Sequence, residues 1–194
     1  MDQYIEIIGT IIGLIYLFLE YRASIYMWIA GIIMPAIYVY IYYNAGLYAN
    51  FGINVYYLFM AVYGLLVWRG FFKEKKQEKD IPITHTTKRG WCIAAAMYLF
   101  TQIGITYILI NYTDSTTPIV DSFTTALSIA GMWMLARKYI EQWWIWCVVD
   151  VVSSALYFHK DLYFTAALYI LYAIVAVFGY RKWKTMMNYE NIER

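Results

Sequence analysis

Residues 141–158 read EQWWIWCVVDVVSSALYF, an apolar stretch of nearly membrane-spanning length that carries one acidic residue, Asp150, near its middle. An ionised aspartate at that depth is unfavourable by roughly 2.5–3.5 kcal/mol on insertion scales. Such residues usually face the interior of a helix bundle and serve a function there. The stretch therefore predicts a membrane-embedded helix that bears a functional site.

The composition of the whole chain agrees with a membrane protein. Of its 194 residues 62% are hydrophobic and 21% aromatic, and the mean hydropathy is +0.50. These values are too high for an ordinary soluble domain. The net charge of +2 indicates no nucleic-acid partner, which would need a concentrated basic face. Because the first residues contain acids but no Lys or Arg, we expect the first apolar run to be kept as a span.

Seven apolar runs approach the roughly 20 residues that a membrane-spanning helix requires. They are too long and too continuously apolar to be the alternating strands of a barrel. We therefore predict an all-α integral membrane protein with seven transmembrane helices. The predicted spans are residues 4–21, 24–43, 47–68, 91–112, 119–136, 143–158 and 162–180.

The basic residues predict the orientation of the chain in the membrane. Fourteen of the 15 Lys and Arg residues fall on one side of the seven spans, and only Lys160 falls on the other. Because Lys and Arg are enriched in cytoplasmic loops, we expect the N-terminus outside and the C-terminus in the cytoplasm. The basic run 73–79 then lies in a solvated cytoplasmic linker.

An internal repeat organises the spans. Residues 4–68 align without a gap on residues 119–183, with 12 of 65 positions identical, including Trp28/Trp143, Gly64/Gly179 and Trp68/Trp183. Three helices and one connector make an even number of crossings, so the two three-helix repeats are predicted to be parallel, in a 3+1+3 layout. Parallel repeats occur in transporters, although duplication alone also builds a stable bundle. The predicted segments are a first repeat (1–68), a cytoplasmic loop (69–90), connector helix 4 (91–112), a second repeat (113–183) and a cytoplasmic tail (184–194).

Five residues of the sixth span have the spacing of one helical face: Trp143, Trp146, Asp150, Ser153 and Tyr157. No Lys or Arg lies near the middle of any span, so Asp150 is predicted either to be protonated or to meet a cation from outside. Aromatic faces attract cations by about 0.5–2 kcal/mol. The face therefore predicts a binding site for a flat, positively charged ring. The alternative is a structural hydrogen bond from a protonated Asp150.

Other polar residues at membrane depth are candidates for the same site. Gln102 lies in the middle of connector helix 4, and Asn50, Asn54 and Tyr57 share a face of the third span. Each of them is equally suited to hydrogen-bonding between helices. Gly64 and Gly179 are predicted to be close-packing points, and Pro35, the repeat mate of Asp150, is a candidate hinge.

Motifs of several enzyme classes are absent from the sequence. It contains no P-loop and no HExxH motif, and its two cysteines form no metal-ligand pattern. We therefore predict a facilitative transporter without a cofactor or a metal. A membrane-embedded enzyme or a subunit of a larger complex is the alternative from another class.

The motif Trp143-x2-Trp146-x3-Asp150-x6-Tyr157, with Glu141 and the basic residues Arg137 and Lys138 before it, resembles the signature of the Pnu, or PnuC-type, vitamin transporters. The resemblance covers nearly the whole chain and implies a fold similar to an enlarged SWEET sugar transporter. It implies uptake of an unphosphorylated B-vitamin precursor through a bacterial inner membrane, with a cytoplasmic kinase trapping the product. The four motif residues would line the substrate site, joined by Gln102 and the asparagines of the third helix.

The substrate follows less directly from the resemblance. Nicotinamide riboside is the best-known substrate of this family, and relatives take up thiamine or riboflavin. Nicotinamide riboside members often have Asn where this chain has Asp150. A carboxylate attracts the charged ring of nicotinamide riboside or of thiamine, so these two vitamins are predicted as substrates with nearly equal weight. Riboflavin ranks behind them because its ring is neutral. The sequence leaves open whether the chain forms a homo-oligomer.

Overall fold

The computed structural model describes residues 2–44, 48–71 and 81–192, and side chains within 12–44, 51–71 and 81–189. The described residues form seven helices, which confirms the predicted helix number and the all-α class. They are α1 (Asp2–Tyr21), α2 (Tyr26–Asn44), α3 (Tyr48–Trp68), α4 (Lys88–Tyr112), α5 (Pro118–Ala136), α6 (Gln142–His159) and α7 (Tyr163–Ile192).

Five of the described helical segments are long and apolar enough to cross a membrane: Tyr26–Asn44, Phe51–Trp68, Lys88–Tyr112, Pro118–Ala136 and Tyr163–Tyr189. Helix α6 is not among them, because Gln142, Asp150 and His159 lower its mean hydropathy. Its 18 residues nevertheless extend about 27 Å, close to the ~30 Å of a hydrocarbon core. The described apolar part of α1 is the shorter segment Ile12–Tyr21.

Two helix boundaries differ from the prediction by three residues or more. Helix α4 begins at Lys88 because the Thr87 hydroxyl oxygen accepts a hydrogen bond from the backbone N–H of Gly90 at 3.0 Å, which caps the helix. Helix α7 continues to Ile192 and thus includes most of the predicted tail, since residues 180–192 contain neither Gly nor Pro to end it. The basic run 73–79 lies outside the described residues.

The chain divides into two compact units, Met1–Ile81 and Pro82–Arg194. In the first unit α1 packs on α2, and α2 packs on α3. In the second unit α5 packs on α6, α6 packs on α7, and α4 packs on α5. The order of contacts is therefore the same in the two units, apart from the added helix α4.

A tryptophan seated on a glycine joins the last two helices of the first unit. Trp28 of α2 is fully buried, and its indole ring occupies the space that a Cβ on Gly64 of α3 would need. The buried ring of Trp68 meets Trp28 edge-on, with ring centroids 5.6 Å apart and planes at 84°. The missing side chain of Gly64 thus allows α2 and α3 to approach closely.

The second unit contains the same contact. A Cβ on Gly179 of α7 would lie 2.6 Å from the Trp143 ring of α6, and Trp183 meets Trp143 edge-on at 5.7 Å and 87°. Trp143 is only 1% exposed. Both glycines are therefore close-packing points, as predicted.

The turns before these tryptophans also agree in backbone conformation. Ala23, between α1 and α2, has φ 49°, and Lys138, between α5 and α6, has φ 53°. Left-handed φ values are uncommon for residues other than glycine. These two residues, like the tryptophans and glycines of the preceding contacts, are 115 positions apart. The agreement favours the duplication, while the parallel relation of the two repeats stays a prediction.

Candidate functional site

Asp150 is a buried carboxylate in the middle of α6. It is 7% exposed, and none of the described residues gives it a hydrogen bond or an ion pair. More than nine in ten buried polar groups in proteins have such a partner. Asp150 is therefore available for a ligand, and it is the centre of the candidate site.

Two adjacent serines of α6 differ in their hydrogen bonding. The Ser154 hydroxyl donates to the carbonyl oxygen of Ala166 in α7 at 2.9 Å, so Ser154 links the two helices. Ser153 is 5% exposed, and its hydroxyl has no hydrogen-bond partner among the residues that the structure describes. Ser153, one turn from Asp150, is thus a second unpaired polar group on the predicted face.

The two tryptophans of the motif have different surroundings. Trp146 is half-buried against α5, where a Cβ on Gly131 would lie 3.5 Å from its Cε2. Its Nε1–H is buried and has no partner within the described part of the chain. Trp143 instead fills the space above Gly179 and joins α6 to α7. This packing gives Trp143 a structural role, and its contact with substrate stays a prediction.

Aromatic rings continue from Tyr157 towards the middle of α7. Tyr157 stacks on Tyr169 at 5.2 Å and 25°, and Tyr169 meets Tyr172 edge-on at 5.8 Å. Tyr172 is half-buried on α7 and is the last of these rings. The sequence analysis omitted Tyr169 and Tyr172. The identity of Tyr172 with its repeat mate, the candidate Tyr57, was the signal for the second of them.

Gln102 is largely engaged between α4 and α5. Its Nε2 donates to Ser122 Oγ at 2.8 Å and to Thr106 Oγ1 at 3.1 Å, and Ser122 is fully buried. Only Oε1 of Gln102 is buried without a partner in the described structure. Gln102 therefore links α4 to α5 by hydrogen bonding, which was the alternative prediction for this residue. Its predicted contact with substrate depends on Oε1 alone.

The candidates on α3 belong to the first unit. Tyr57 is half-buried and contacts the Tyr56 ring at 5.8 Å. Asn54 is half-buried and engaged in an interaction, and the side chain of Asn50 lies outside the described residues. The structure thus places Trp146, Asp150, Ser153 and Tyr157 on one helix, with Gln102 in the same unit and the α3 candidates in the other.

A clasp of three residues holds the start of α6. The Glu141 carboxylate accepts hydrogen bonds from the Thr86 hydroxyl at 2.6 Å and the Thr86 N–H at 2.8 Å, and His85 Nδ1 lies 2.7 Å from it. Burial raises the pKa of Glu141, but the hydrogen bonds from Thr86 and His85 outweigh burial and lower it. A parallel bridge between Thr84 and Tyr139 adds to this connection. The clasp fixes the end of α6 that bears the tryptophans.

A second carboxylate joins elements at the opposite end of the unit. Asp121, in the first turn of α5, accepts hydrogen bonds from Ser115 Oγ at 2.8 Å and Thr117 Oγ1 at 3.0 Å. Lys160, after α6, lies 3.4 Å from the other oxygen of Asp121. Since Asp121 has these partners, it differs from the unpaired Asp150.

A shallow apolar groove of about 290 Å³ lies between α6 and α7, beside the site. Cys147 and Val151 of α6 line it, as does Ser154, whose hydroxyl is bound to α7. None of the predicted site residues borders this groove. The groove is therefore separate from the unpaired polar groups of Trp146, Asp150 and Ser153.

Comparisons with known proteins place the chain among transporters. The nicotinamide mononucleotide transporter family matches residues 3–185. The riboflavin/roseoflavin transporter RibM of Streptomyces davaonensis is 27% identical, covering 94% of this chain and 86% of RibM. The nicotinamide riboside transporter PnuC of Escherichia coli is 24% identical, covering 93% and 85%. A crystal structure of the vitamin B3 transporter PnuC has a TM-score of 0.66 at 22% identity, covering 91% of this chain and 79% of that one, which shows a common fold.

Proposed function

Since the chain belongs to the nicotinamide mononucleotide transporter family, we propose that it takes up an unphosphorylated B-vitamin precursor with a positively charged ring, nicotinamide riboside. Membership in this PnuC-type family makes the chain a multi-pass membrane transporter and not an enzyme. Family membership supports vitamin transport in general. The choice of substrate rests on the site.

The observation that carries the choice is the unpaired, buried carboxylate of Asp150. A buried charge without a partner is unfavourable, and a positively charged ring removes that penalty when it binds. The indole of Trp146 lies one turn away and supplies an aromatic face for the same ring. The Ser153 hydroxyl and the Trp146 N–H remain for the polar groups of the vitamin. Nicotinamide riboside satisfies all of these groups, because it has a cationic ring, an amide and hydroxyls.

Riboflavin is a second candidate substrate, because a riboflavin/roseoflavin transporter is among the relatives. Its ring is neutral but carries an imide N–H, which donates well to a carboxylate. Thiamine, which the sequence analysis held nearly level with nicotinamide riboside, is supported only by the charge of its ring. The three vitamins therefore differ in what they require of Asp150.

The direction and the partners of transport are further parts of the proposal. The family supports a bacterial inner membrane location, and the basic residues favour the N-terminus outside and the C-terminus in the cytoplasm. Transport is facilitated diffusion, and a cytoplasmic kinase retains the product by phosphorylation. A homo-oligomer is compatible with this function. A reporter enzyme fused to the C-terminus tests the orientation, since activity of a reporter that functions only outside the cytoplasm would contradict it.

The test of the substrate is uptake of each labelled vitamin into proteoliposomes, by the wild type and by Asp150→Asn. A charge-assisted bond is worth about 1–1.5 kcal/mol more than a neutral one, so Asp150→Asn is expected to weaken the binding of nicotinamide riboside about tenfold. Uptake of neutral riboflavin, where it occurs, should fall less than that of nicotinamide riboside, because the amide oxygen of the substituted side chain still accepts a hydrogen bond from the imide N–H and no ring charge is left uncompensated.

Asp121→Asn is the matched control, since it removes a carboxylate that already has partners at the end of the unit. It should leave nicotinamide riboside affinity unchanged. If the wild type carried riboflavin alone, the cationic-ring proposal would be overturned. If it carried none of the three vitamins above the level of empty vesicles, the vitamin-uptake proposal would be overturned as well.

A further inference from the structure

Gln142, the first residue of α6, has a fully buried amide without partners. The residue is 0% exposed, and neither Nε2 nor Oε1 has a hydrogen bond within the described residues. Each unmade hydrogen bond of a buried polar group costs about 1–3 kcal/mol. Gln102, the other glutamine of this unit, is half-buried and donates two hydrogen bonds. An amide left unpaired on both sides indicates a site that something else fills.

Gln142 continues the row of unpaired groups on α6. The spacing of Gln142, Trp146, Asp150 and Ser153 is 4, 4 and 3 residues, which places all four within about 80° of arc on the helix. Each of them has a buried or nearly buried polar group without a hydrogen-bond partner in the described structure. Ser154, outside this arc, is bonded to α7. The Nε1–H of Trp143 is also buried without a partner among the described residues and lies about 20° beyond Asp150, so the unpaired groups of α6 form one line within about 100° of arc.

This line extends the candidate site towards the start of α6, the end that follows Arg137 and Lys138. Eight residues separate Gln142 from Asp150, or about 12 Å along the helix axis. A vitamin of one ring and one sugar does not reach from one to the other while its ring stays at Asp150. Gln142 consequently meets the substrate at a different stage of its passage.

We propose that Gln142, at the start of α6, forms a second, uncharged binding station for the transported vitamin, about 12 Å from Asp150 along the helix axis. This inference rests on the proposed function and adds a station to it. The amide offers both a donor and an acceptor, which suit the hydroxyl and carboxamide groups of the substrate. It has no charge to hold the ring. Passage requires sites that bind strongly enough to admit a solute and weakly enough to release it, and a neutral station after a charged one meets that requirement.

The clasp keeps this station in position. Glu141 is bonded to Thr86, and the backbone N–H of Gln142 donates to the carbonyl oxygen of Tyr139 at 3.3 Å. The start of α6 is therefore held from both the preceding turn and the segment before α4. A fixed backbone at this point orients the Gln142 amide at little entropic cost when the substrate binds.

The test compares Gln142→Leu, which keeps the approximate size and removes the amide, with Gln102→Leu. We expect Gln142→Leu to melt in detergent at or above the wild-type temperature, because an unpaired amide is removed. Gln102→Leu should melt lower, because two hydrogen bonds are lost. Equilibrium affinity for nicotinamide riboside, measured by tryptophan fluorescence, should stay within about twofold in Gln142→Leu. Its initial uptake rate in proteoliposomes should fall at least about fivefold.

Gln142→Asn keeps an amide and is expected to recover part of that rate, even if Gln142→Leu folds poorly. If Gln142→Leu took up nicotinamide riboside at the wild-type rate, the proposal of a second station would be overturned. The same result is expected if the amide holds only water. A rate that falls only in proportion to lost folded protein would overturn it too. Failure of the proposed function is distinguishable, because the wild type itself would then show no uptake.

Discussion

The contact between Trp143 and Gly179 predicts that Gly179→Ala pushes α6 and α7 apart. The new Cβ would lie 2.6 Å from Cη2 and Cζ3 of the indole and 2.7 Å from Cδ2. Carbon atoms in contact normally lie about 3.5–4.0 Å apart, so the ring or a helix must move by about 1 Å. The ring has little room, because Trp183 meets it edge-on.

The expected loss of stability combines two opposing effects. Overpacking of this kind costs typically about 1–3 kcal/mol, while Gly→Ala within a helix returns about 0.5–1 kcal/mol. The net loss is therefore about 0–2.5 kcal/mol, centred near 1 kcal/mol. For a chain of this length, a loss of about 1 kcal/mol lowers the melting temperature by about 2–4 °C.

Thermal unfolding in detergent measures this effect, with Gly104→Ala as the control. A Cβ on Gly104 of α4 meets nothing within 4 Å, so this variant should melt at or above the wild-type temperature. Trp143→Phe replaces the two-ring indole by a shorter phenyl ring and so removes the far atoms of the side chain that meet the new Cβ. The double variant Trp143→Phe/Gly179→Ala should therefore melt higher than the sum of the two single changes predicts.

Two results would refute the reasoning. One is a melting temperature of Gly179→Ala equal to that of Gly104→Ala. The other is strict additivity in the double variant, which would mean that the alanine and the indole do not meet. The corresponding variant in the first unit, Gly64→Ala, is expected to lose at least as much stability, because Trp28 lies even closer to that glycine.

Three further predictions concern the carboxylates and serines of the second unit. The pKa of Glu141 is lowered in the folded protein. Its contribution to stability is therefore present above the unfolded pKa of about 4.3 and is lost as pH falls through the folded pKa. Between pH 6 and 3 the melting temperature should fall more for the wild type than for Glu141→Gln. Equal pH dependence of the two proteins would contradict this. Ser154→Ala should lower the melting temperature through the loss of a buried hydrogen bond worth about 1 kcal/mol, whereas Ser153→Ala should not lower it; the opposite order in the same assay would show that the unpaired serine was misassigned. Replacing Lys160 by Met should change stability by less than about 1 kcal/mol, because the ion pair is partly exposed, and Asp121→Ala should cost more, because it also leaves two hydroxyl groups without their acceptor; equal denaturation midpoints for these two variants would argue against that network.

Much of the fold follows from the sequence, because partition into lipid depends on the length and composition of local segments. Seven apolar runs correspond to seven helices, and a constant offset of 115 predicts Gly64 and Gly179 as close-packing points, which their contacts with Trp28 and Trp143 confirm. The ends of helices were less predictable. The start of α4 depends on a single cap at Thr87, and α7 continues for lack of a residue that ends it.

The candidate site was predictable in part. Asp150 and Ser153 are buried and unpaired on the predicted face, and their chemistry was evident from an acid and a hydroxyl within an apolar run. The partners of Gln102 were not evident, since Ser122 lies 20 residues away on another helix. The clasp at Glu141 depends likewise on Thr86, 55 residues earlier in the chain.

What the sequence by itself determined is the set of apolar helices, the asymmetry of basic residues and the polar groups that α6 carries, because each depends on composition and spacing along the chain. Only the tertiary structure decided the use of each side chain of α6. Trp143 and Asp150 point within about 20° of each other on that helix, so spacing alone assigned both to one face. The glycine at position 179 of the neighbouring helix leaves a space that the indole fills, whereas Asp150 and Gln142 are buried without a partner. The separation of structural from functional residues thus depends on the shape of the adjoining helix, which the sequence of α6 does not contain.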